Sequence, residues 1–283
     1  MTVYASSAGG RRSTSAATDM PAGTPWYTRA ERVLTPFVLP VGLIVLWQLA
    51  VSLRWINPLF LPSPLDVLDV LVNFFQTGRI WGHLGISVQR VFLGFFYGVS
   101  AAIILGALTG YSPLWRRLID PVIHALRTVP SLAWIPMFIL WFGIEETSKV
   151  TLIAKSAFFP TYLNFMSGII NADRRLIEVG QVYRLNNFQL VRRILLPAAL
   201  PYLFVGLRQS MGIAWLVVVA AEMMGASSGI GYLLLDGEMT GRPQIVMACM
   251  IIFAICGKGT DMLLAYISRR VLSWQDTRSG GDA

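Results

Sequence analysis

Long apolar runs alternate with connections of two kinds, and most of the arginines lie in connections of one kind. That alternation leaves few folds open. The runs are Val33–Leu53, with Pro36 and Pro40 near its start; Val91–Gly110, rich in Gly and Ala; and Ile119–Phe142, broken by Pro130 and Pro136. They continue with Ser148–Ile170, interrupted by Lys155 and Pro160; Ala198–Met223; and Ile245–Ile267, interrupted by Lys258 and Asp261. A bilayer-spanning helix needs about 20 mostly apolar residues, so the pattern predicts an all-α integral membrane protein with six transmembrane helices. Composition agrees: 55% of the 283 residues are hydrophobic and 13% charged, against about 25% charged in soluble domains. That is too little charge to cover a globular surface in water.

The arginines set the expected orientation. Arg116, Arg117, Arg174, Arg175, Arg184, Arg192, Arg193, Arg269, Arg270 and Arg278 fall on one side, with Arg11, Arg12, Arg29 and Arg32 of the N-terminal segment. The other side holds Arg54, Arg79, Lys149 and Arg242 among several carboxylates. Cytoplasmic loops carry the excess of Lys and Arg. Both termini and the 171–197 loop are therefore expected in the cytosol of a multi-pass membrane protein. The net charge of +8 is topological in this reading. No basic patch interleaved with aromatics suggests nucleic acid. Residues 1–30 and 271–283 read as cytosolic tails, the first of them disordered and without the apolar core of a signal peptide. Between them lies a transmembrane domain, 31–270, with a core at about 84–267. Cys249 and Cys256 stand two helical turns apart, about 10 Å, too far for a disulfide.

Asn57–Ser87 differs from the spans. Leu61-Pro62-Ser63-Pro64 is an extended or turn signal. Leu65–Phe75 mixes apolar residues with Asp66, Asp69 and Asn73, which suits an interfacial amphipathic helix.

The 171–197 loop carries its own pattern. Leu176, Ile177, Val179, Val182 and Leu185 predict one short amphipathic helix, with Asp173 as its N-cap. Asn186-Asn187 is a turn signal. Phe188, Leu190, Val191, Ile194 and Leu195 predict a second helix that stops at Pro197. Patterning alone leaves open an ordinary loop or a handle for a partner.

At this loop the chain resembles the permeases of binding-protein-dependent ABC importers. Their cytosolic motif reads Glu-Ala-Ala, three residues, Gly, nine residues, Ile-x-Leu-Pro. Glu178-Val179-Gly180 occupies the triplet, and Ile194, Leu196 and Pro197 match the spacing. Arg184 stands at the motif's Gly. Because Gly supplies a turn with φ > 0 cheaply and Asn tolerates it better than Arg, the turn is expected to move to Asn186 or Asn187. Leu61-Pro62-Ser63-Pro64, Leu126–Pro136, Leu140–Ile144, Gly206-Leu207-Arg208, Val219–Glu222 and Ser228–Tyr232 extend the resemblance, over roughly residues 35–270, to the nitrate/taurine/sulfonate/bicarbonate group, most of all aliphatic-sulfonate permeases. The resemblance implies a type I ABC importer permease fold with cytosolic coupling helices, and a pathway for a small anion: an aliphatic sulfonate, otherwise taurine, nitrate or bicarbonate. It implies a second permease copy, as a homodimer; two copies of an ATPase subunit holding ATP and Mg; and a periplasmic or lipid-anchored solute-binding protein. Coupling to the ATPase would fall to Glu178, Gly180, Arg184, Leu185 and Pro197. Hydrolysis is expected in the partner, so this chain has no expected catalytic residue and is no enzyme.

Charges within spans are costly and belong in the bundle interior or a wet cavity. Arg127, Lys155 and Arg208 are candidate pathway residues, a cationic lining for an anion. Packing and pairing are the plainer alternatives. Trp215, on the Arg208 face, and Glu222, at the outer end of its span, complete the candidates. Lys258 and Asp261, at i and i+3, are expected to pair locally. Gly257-Lys258-Gly259-Thr260 imitates a phosphate loop, but the motif requires Gly five residues before its Gly-Lys, and that position is Ile252. His83 and His124 are isolated, and no metal-ligand cluster is visible. The alternative reading is an ion-coupled secondary transporter, which favours internal repeats with paired broken helices.

Overall fold

Helices make up all the regular secondary structure among residues 26–274, the part of the chain that the computed structural model describes. Residues 1–25 and 275–283, most of the two expected tails, lie outside the described residues. Residues 26–30, expected in the N-terminal tail, already open a helix. In chain order the helices are α1 (Trp26–Ser52), α2 (Pro64–Gln76), α3 (Arg79–Tyr111), α4 (Pro113–Thr128), α5 (Ile135–Phe142), α6 (Glu146–Ile170) and α7 (Arg174–Val182). Then come α8 (Asn187–Leu190), α9 (Leu196–Met223), α10 (Ile230–Met239) and α11 (Pro243–Val271).

Among the described residues, three unbroken helical stretches are long and apolar enough to cross a bilayer: Arg79–Tyr111, Val191–Met223 and Pro243–Val271. The expected third span is broken. Pro113–Thr128 meets Ser131–Phe142 at 95°, because Pro130 has no N–H and forces Val129 into the extended region, ψ 117°. Counted as one, that pair makes a fourth span. α6 is long enough, but Glu146, Lys149 and Lys155 dilute its apolar character.

Glycine builds the centre. Gly94, Gly98, Ala102, Gly106 and Gly110 recur every four residues along α3 and form one stripe. α6 lies against it: a Cβ at Gly94 would stand 2.6 Å from Ile153, and one at Gly110 2.9 Å from Ile169. Gly98 faces the carbonyl oxygen of Ala154 with no room for a side chain. Small residues allow such close approach in lipid, where van der Waals packing replaces the hydrophobic drive. α9 closes on the other side of α6, where Gly206 abuts the backbone of Pro160 and Thr161. Val91, Phe138, Leu152, Ile153, Met211, Trp215 and Val218 fill the core between α3, α5, α6 and α9.

α2 forms where the alternating polar pattern placed it. Ser63 caps it, its Oγ accepting from the Asp66 N–H at 3.1 Å while Asp66 accepts from the Ser63 N–H. Its buried Val67 and Phe74 pack with Ile230, Leu233 and Cys249 of α10 and α11. Elsewhere large apolar side chains stand free: Leu140 is 76% exposed, Leu216 69% and Ile104 68%. Lipid accepts such a surface and water does not.

Candidate functional site

The 171–197 loop folds as a helical hairpin. Asp173 caps α7, its carboxylate accepting from the Arg175 N–H at 2.9 Å. α7 ends when the Leu185 N–H donates to the Gly180 carbonyl (3.0 Å), with Arg184 left-handed at φ 51°. This six-to-one closure with a left-handed residue at its fifth position is a Schellman cap. The turn therefore stays at Arg184 and does not move to Asn186-Asn187 as expected. Asn186 has other work. Its side chain accepts from the Gln189 N–H (2.8 Å), and the Gln189 side chain accepts from the Asn186 N–H (3.2 Å). That reciprocal pair caps α8 and leaves the left-handed position to the residue before Leu185.

Gly180 is buried, and a Cβ there would stand 2.7 Å from both Leu190 and Ile194. Its role is to let α7 lie on the following helix. Pro197 does not stop that helix. It lacks the N–H that would serve the Arg193 carbonyl, and the chain absorbs the loss in a π turn, Val191–Leu195, before α9. Helix is thus continuous from Asn187 to Met223. Glu178 is exposed. Around it Leu176, Val179, Val182 and Tyr183 present an apolar face, Val182 80% and Tyr183 76% exposed.

A second feature lies halfway along the long helices. A cavity of about 540 Å³ is lined by Arg127, Ser131, Ser156, Phe159, Pro160, Asn164 and Gln209, among others. Ser156–Pro160 is the middle of α6 and Gln209 the middle of α9. Pro160 leaves the Ser156 carbonyl without its helical partner. The Asn164 amide donates to the Pro160 carbonyl (2.8 Å) and to Gln209 Oε1 (3.0 Å).

The predicted pathway residues separate. Arg127 lines the cavity. Lys155 does not. Its ammonium donates to the Val129 carbonyl (3.3 Å) and lies over the rings of Trp134 (5.1 Å) and Phe159 (5.2 Å), bracing the break between α4 and α5. Arg208 makes a bidentate pair with Asp261 of α11, at 2.8 and 2.9 Å. Asp261 therefore bridges helices, in place of the local pair with Lys258. Trp215 is buried in the core, its indole donating to Thr260 at 2.9 Å. Glu222 is fully buried in a polar cluster, away from the cavity.

That cluster is what sequence reasoning missed. Arg90, 3% exposed, donates twice to Glu146 (2.6 Å each), once to Glu222 (2.8 Å) and once to the Ser228 carbonyl (2.7 Å). Glu222 also accepts from Ser87 (2.7 and 2.9 Å) and from the Gly231 N–H (2.8 Å). The cluster joins α3, α6 and α9 to the 224–229 loop, where Gly225 and Gly229 are left-handed at φ 113° and 120°. Arg90 sits one residue before its apolar run. A cation at the run's edge was the one signal for it.

The chain matches the family described as binding-protein-dependent transport system inner membrane component over residues 98–273. It is 41% identical over 243 residues to the putative aliphatic sulfonates transport permease protein SsuC of Bacillus subtilis, covering 86% of this chain and 88% of that one. It is 33% identical to the taurine transport system permease protein TauC of Escherichia coli, covering 88% and 92%. It is 34% identical to the nitrate import permease protein NrtB of Synechococcus elongatus, covering 83% and 89%. Among solved structures, an inward-facing MetNI methionine ABC transporter chain superposes with a TM-score of 0.61 at 18% identity, over 68% of this chain and 95% of that one. A chain of an amino acid ABC transporter superposes at 0.57 and 17%, over 66% and 92%.

Proposed function

Because this chain belongs to the binding-protein-dependent transport system inner membrane components, we propose that it forms the translocation pathway of an ATP-driven importer for a small anion, an aliphatic sulfonate before taurine, nitrate or bicarbonate. The observation that carries the reading is the α7 face. Three apolar side chains on a short helix and Tyr183 just past its end stand exposed in an arginine-rich loop, and a partner that covers them removes the cost of wetting them.

In this reading α1, the bent α4–α5 pair and α6 join α3, α9 and α11 as six spans. The arginine-rich end, with both termini, faces the cytosol. The chain pairs with a second copy, each copy holding one ATPase subunit that binds ATP and Mg, and a separate solute-binding protein delivers the anion on the outer side. Closure of the ATPases draws the two hairpins together. Since helix is continuous from Asn187 to Met223, that displacement passes straight to Gln209 at the cavity and Glu222 in the outer cluster. The π turn at Val191–Leu195 is the joint.

The test replaces the exposed face and spares the packing. Val182→Asp with Tyr183→Asp is expected to release the co-expressed ATPase during purification and to reduce ATP-driven uptake into proteoliposomes by about tenfold or more. Intact association and uptake would overturn the coupling reading. Uptake driven by an ion gradient without ATPase would favour the secondary transporter. Substitutions at Gly180 do not separate docking from folding, because a side chain there meets Leu190 and Ile194.

Arg184 yields a separate expectation. A left-handed non-Gly residue carries about 1–2 kcal/mol of strain, offset in part by the unfolded-state freedom of glycine. Arg184→Gly should leave the hairpin as stable or up to about 1 kcal/mol more stable, read by hydrogen exchange of the Leu185 amide. A fall in ATPase affinity with unchanged exchange would assign the guanidinium to the interface.

A further inference from the structure

Most of the cations deep in the long helices have partners. Arg90 has Glu146 and Glu222. Lys149 has Glu146, and Arg208 has Asp261. Lys155 has a carbonyl and two rings. Lys258 makes no ion pair or hydrogen bond among the described residues, but it lies one turn from Asp261, the acid that Arg208 holds. Arg127 differs: among the described residues it has no carboxylate or carbonyl partner, and it lines a cavity at mid-length of α6 and α9. An unmatched charge at the bilayer centre costs about 2.5–3.5 kcal/mol or more. A wet cavity lowers that cost, and an anionic ligand removes more of it.

We propose that this cavity is a binding site for monovalent oxyanions inside the permease, with Arg127 as the residue that takes the anionic group. A guanidinium presents parallel N–H donors to two oxygens of one group and stays charged at all working pH values. Ser131 adds a hydroxyl donor, and the Asn164 and Gln209 amides line the same space. Lys155 is a positioning residue: it holds the Val129–Trp134 break that presents Arg127 and Ser131, and its charge adds to the positive field. At about 30 Å³ per water, the cavity's 540 Å³ is far larger than one small oxyanion. It suits an anion that keeps some water or carries a short tail, and a site that releases as readily as it binds. The charge recognition is therefore expected to be modest and general among oxyanions, and the permease adds a charge filter after the binding protein has chosen the solute. This rests on the importer reading above.

The experiment uses the full permease–ATPase complex in nanodiscs. Methanesulfonate is the probe, and dimethyl sulfone is its uncharged near-isostere. Binding is measured by calorimetry without the binding protein. Uptake is then measured in proteoliposomes with the binding protein and ATP. The wild type is expected to bind methanesulfonate and not dimethyl sulfone. Arg127→Gln is expected to weaken binding and slow uptake by about tenfold, the scale of one lost charge-assisted contact. Arg127→Lys should lose less of both, and Gln209→Ala should weaken binding with the guanidinium intact. Gel-filtration assembly with the ATPase and an unchanged melting temperature establish that each variant is folded. Undiminished binding and uptake in Arg127→Gln overturn the site. So does equal binding of dimethyl sulfone, or a loss in Arg127→Gln that follows its melting temperature. ATP-driven uptake by the wild type together with an indifferent Arg127→Gln sinks the site and leaves the importer reading standing. Absence of any ATP-driven uptake by the wild type sinks the importer reading, and the calorimetry still decides the site.

Discussion

Arg90→Met should destabilise the protein by about 3–5 kcal/mol, the usual result of removing one partner from a buried ion pair. Glu222 has no exposed surface, so without the guanidinium its charge stays buried against two donors, Ser87 and the Gly231 N–H. Glu146, whose side chain is 57% exposed, can turn to water and should lose less. Arg90→Lys should rescue poorly, since one ammonium cannot span the bidentate contact with Glu146 and also reach Glu222 and the Ser228 carbonyl. Arg90→Met combined with Glu222→Gln should recover much of the loss, because the uncompensated charge is gone. Melting of the detergent-purified complex checks the series. A single variant within about 1 kcal/mol of wild type, or a double variant no better than the single, would show that the cluster is solvated and weak.

Gly98→Val is expected to be as damaging, by about 3 kcal/mol or more, and to lower the yield of assembled protein. Overpacking a close contact usually costs about 1–3 kcal/mol, and here the obstacle is the backbone carbonyl of Ala154, which has no rotamer to change. α3 cannot swing away locally, because Gly94 and Gly110 hold it to Ile153 and Ile169 on either side. Gly212→Ala is the matched control: nothing lies within 4 Å of a Cβ there, and its helix position favours Ala. If Gly98→Val melts like Gly212→Ala, α3 and α6 are less tightly joined than the geometry requires.

These two residues differ in how far the sequence exposed them. Gly98 belongs to a run of small residues at every fourth position, and the Gly–Ala richness of that run already pointed to close helix packing. Its partner did not follow, since any other span could have filled the groove. Arg90 showed only as a cation at the edge of a run, because its partners lie 56 and 132 residues away. Arg208 is similar. The local i+3 candidate, Lys258, suggested itself for Asp261, and α9 brought a guanidinium from 53 residues away instead.

The hairpin shows the same division at shorter range. The apolar spacing, the Asp173 cap and the motif spacing from Glu178 to Pro197 were legible from local chemistry alone. The turn at Arg184 was not. A left-handed Arg costs about 1–2 kcal/mol, and the reciprocal capping that claims Asn186 together with the packing of Gly180 against Leu190 and Ile194 offsets it. Pro197 misled for a related reason: a missing N–H ends a helix only if nothing else accommodates it, and a π turn does.

The sequence by itself determined that this chain is helical and membrane-bound, where its apolar runs lie, and that one arginine-rich loop carries a coupling-type motif. Those features depend on composition and on residues within two or three helical turns of one another. The tertiary structure alone decided which charges pair, that Glu222 and Trp215 are buried while Arg127 faces a cavity, and that the third apolar run bends by 95°. Coulomb and packing energies depend on distances in space, and a periodic pattern constrains those only along the helix that bears it.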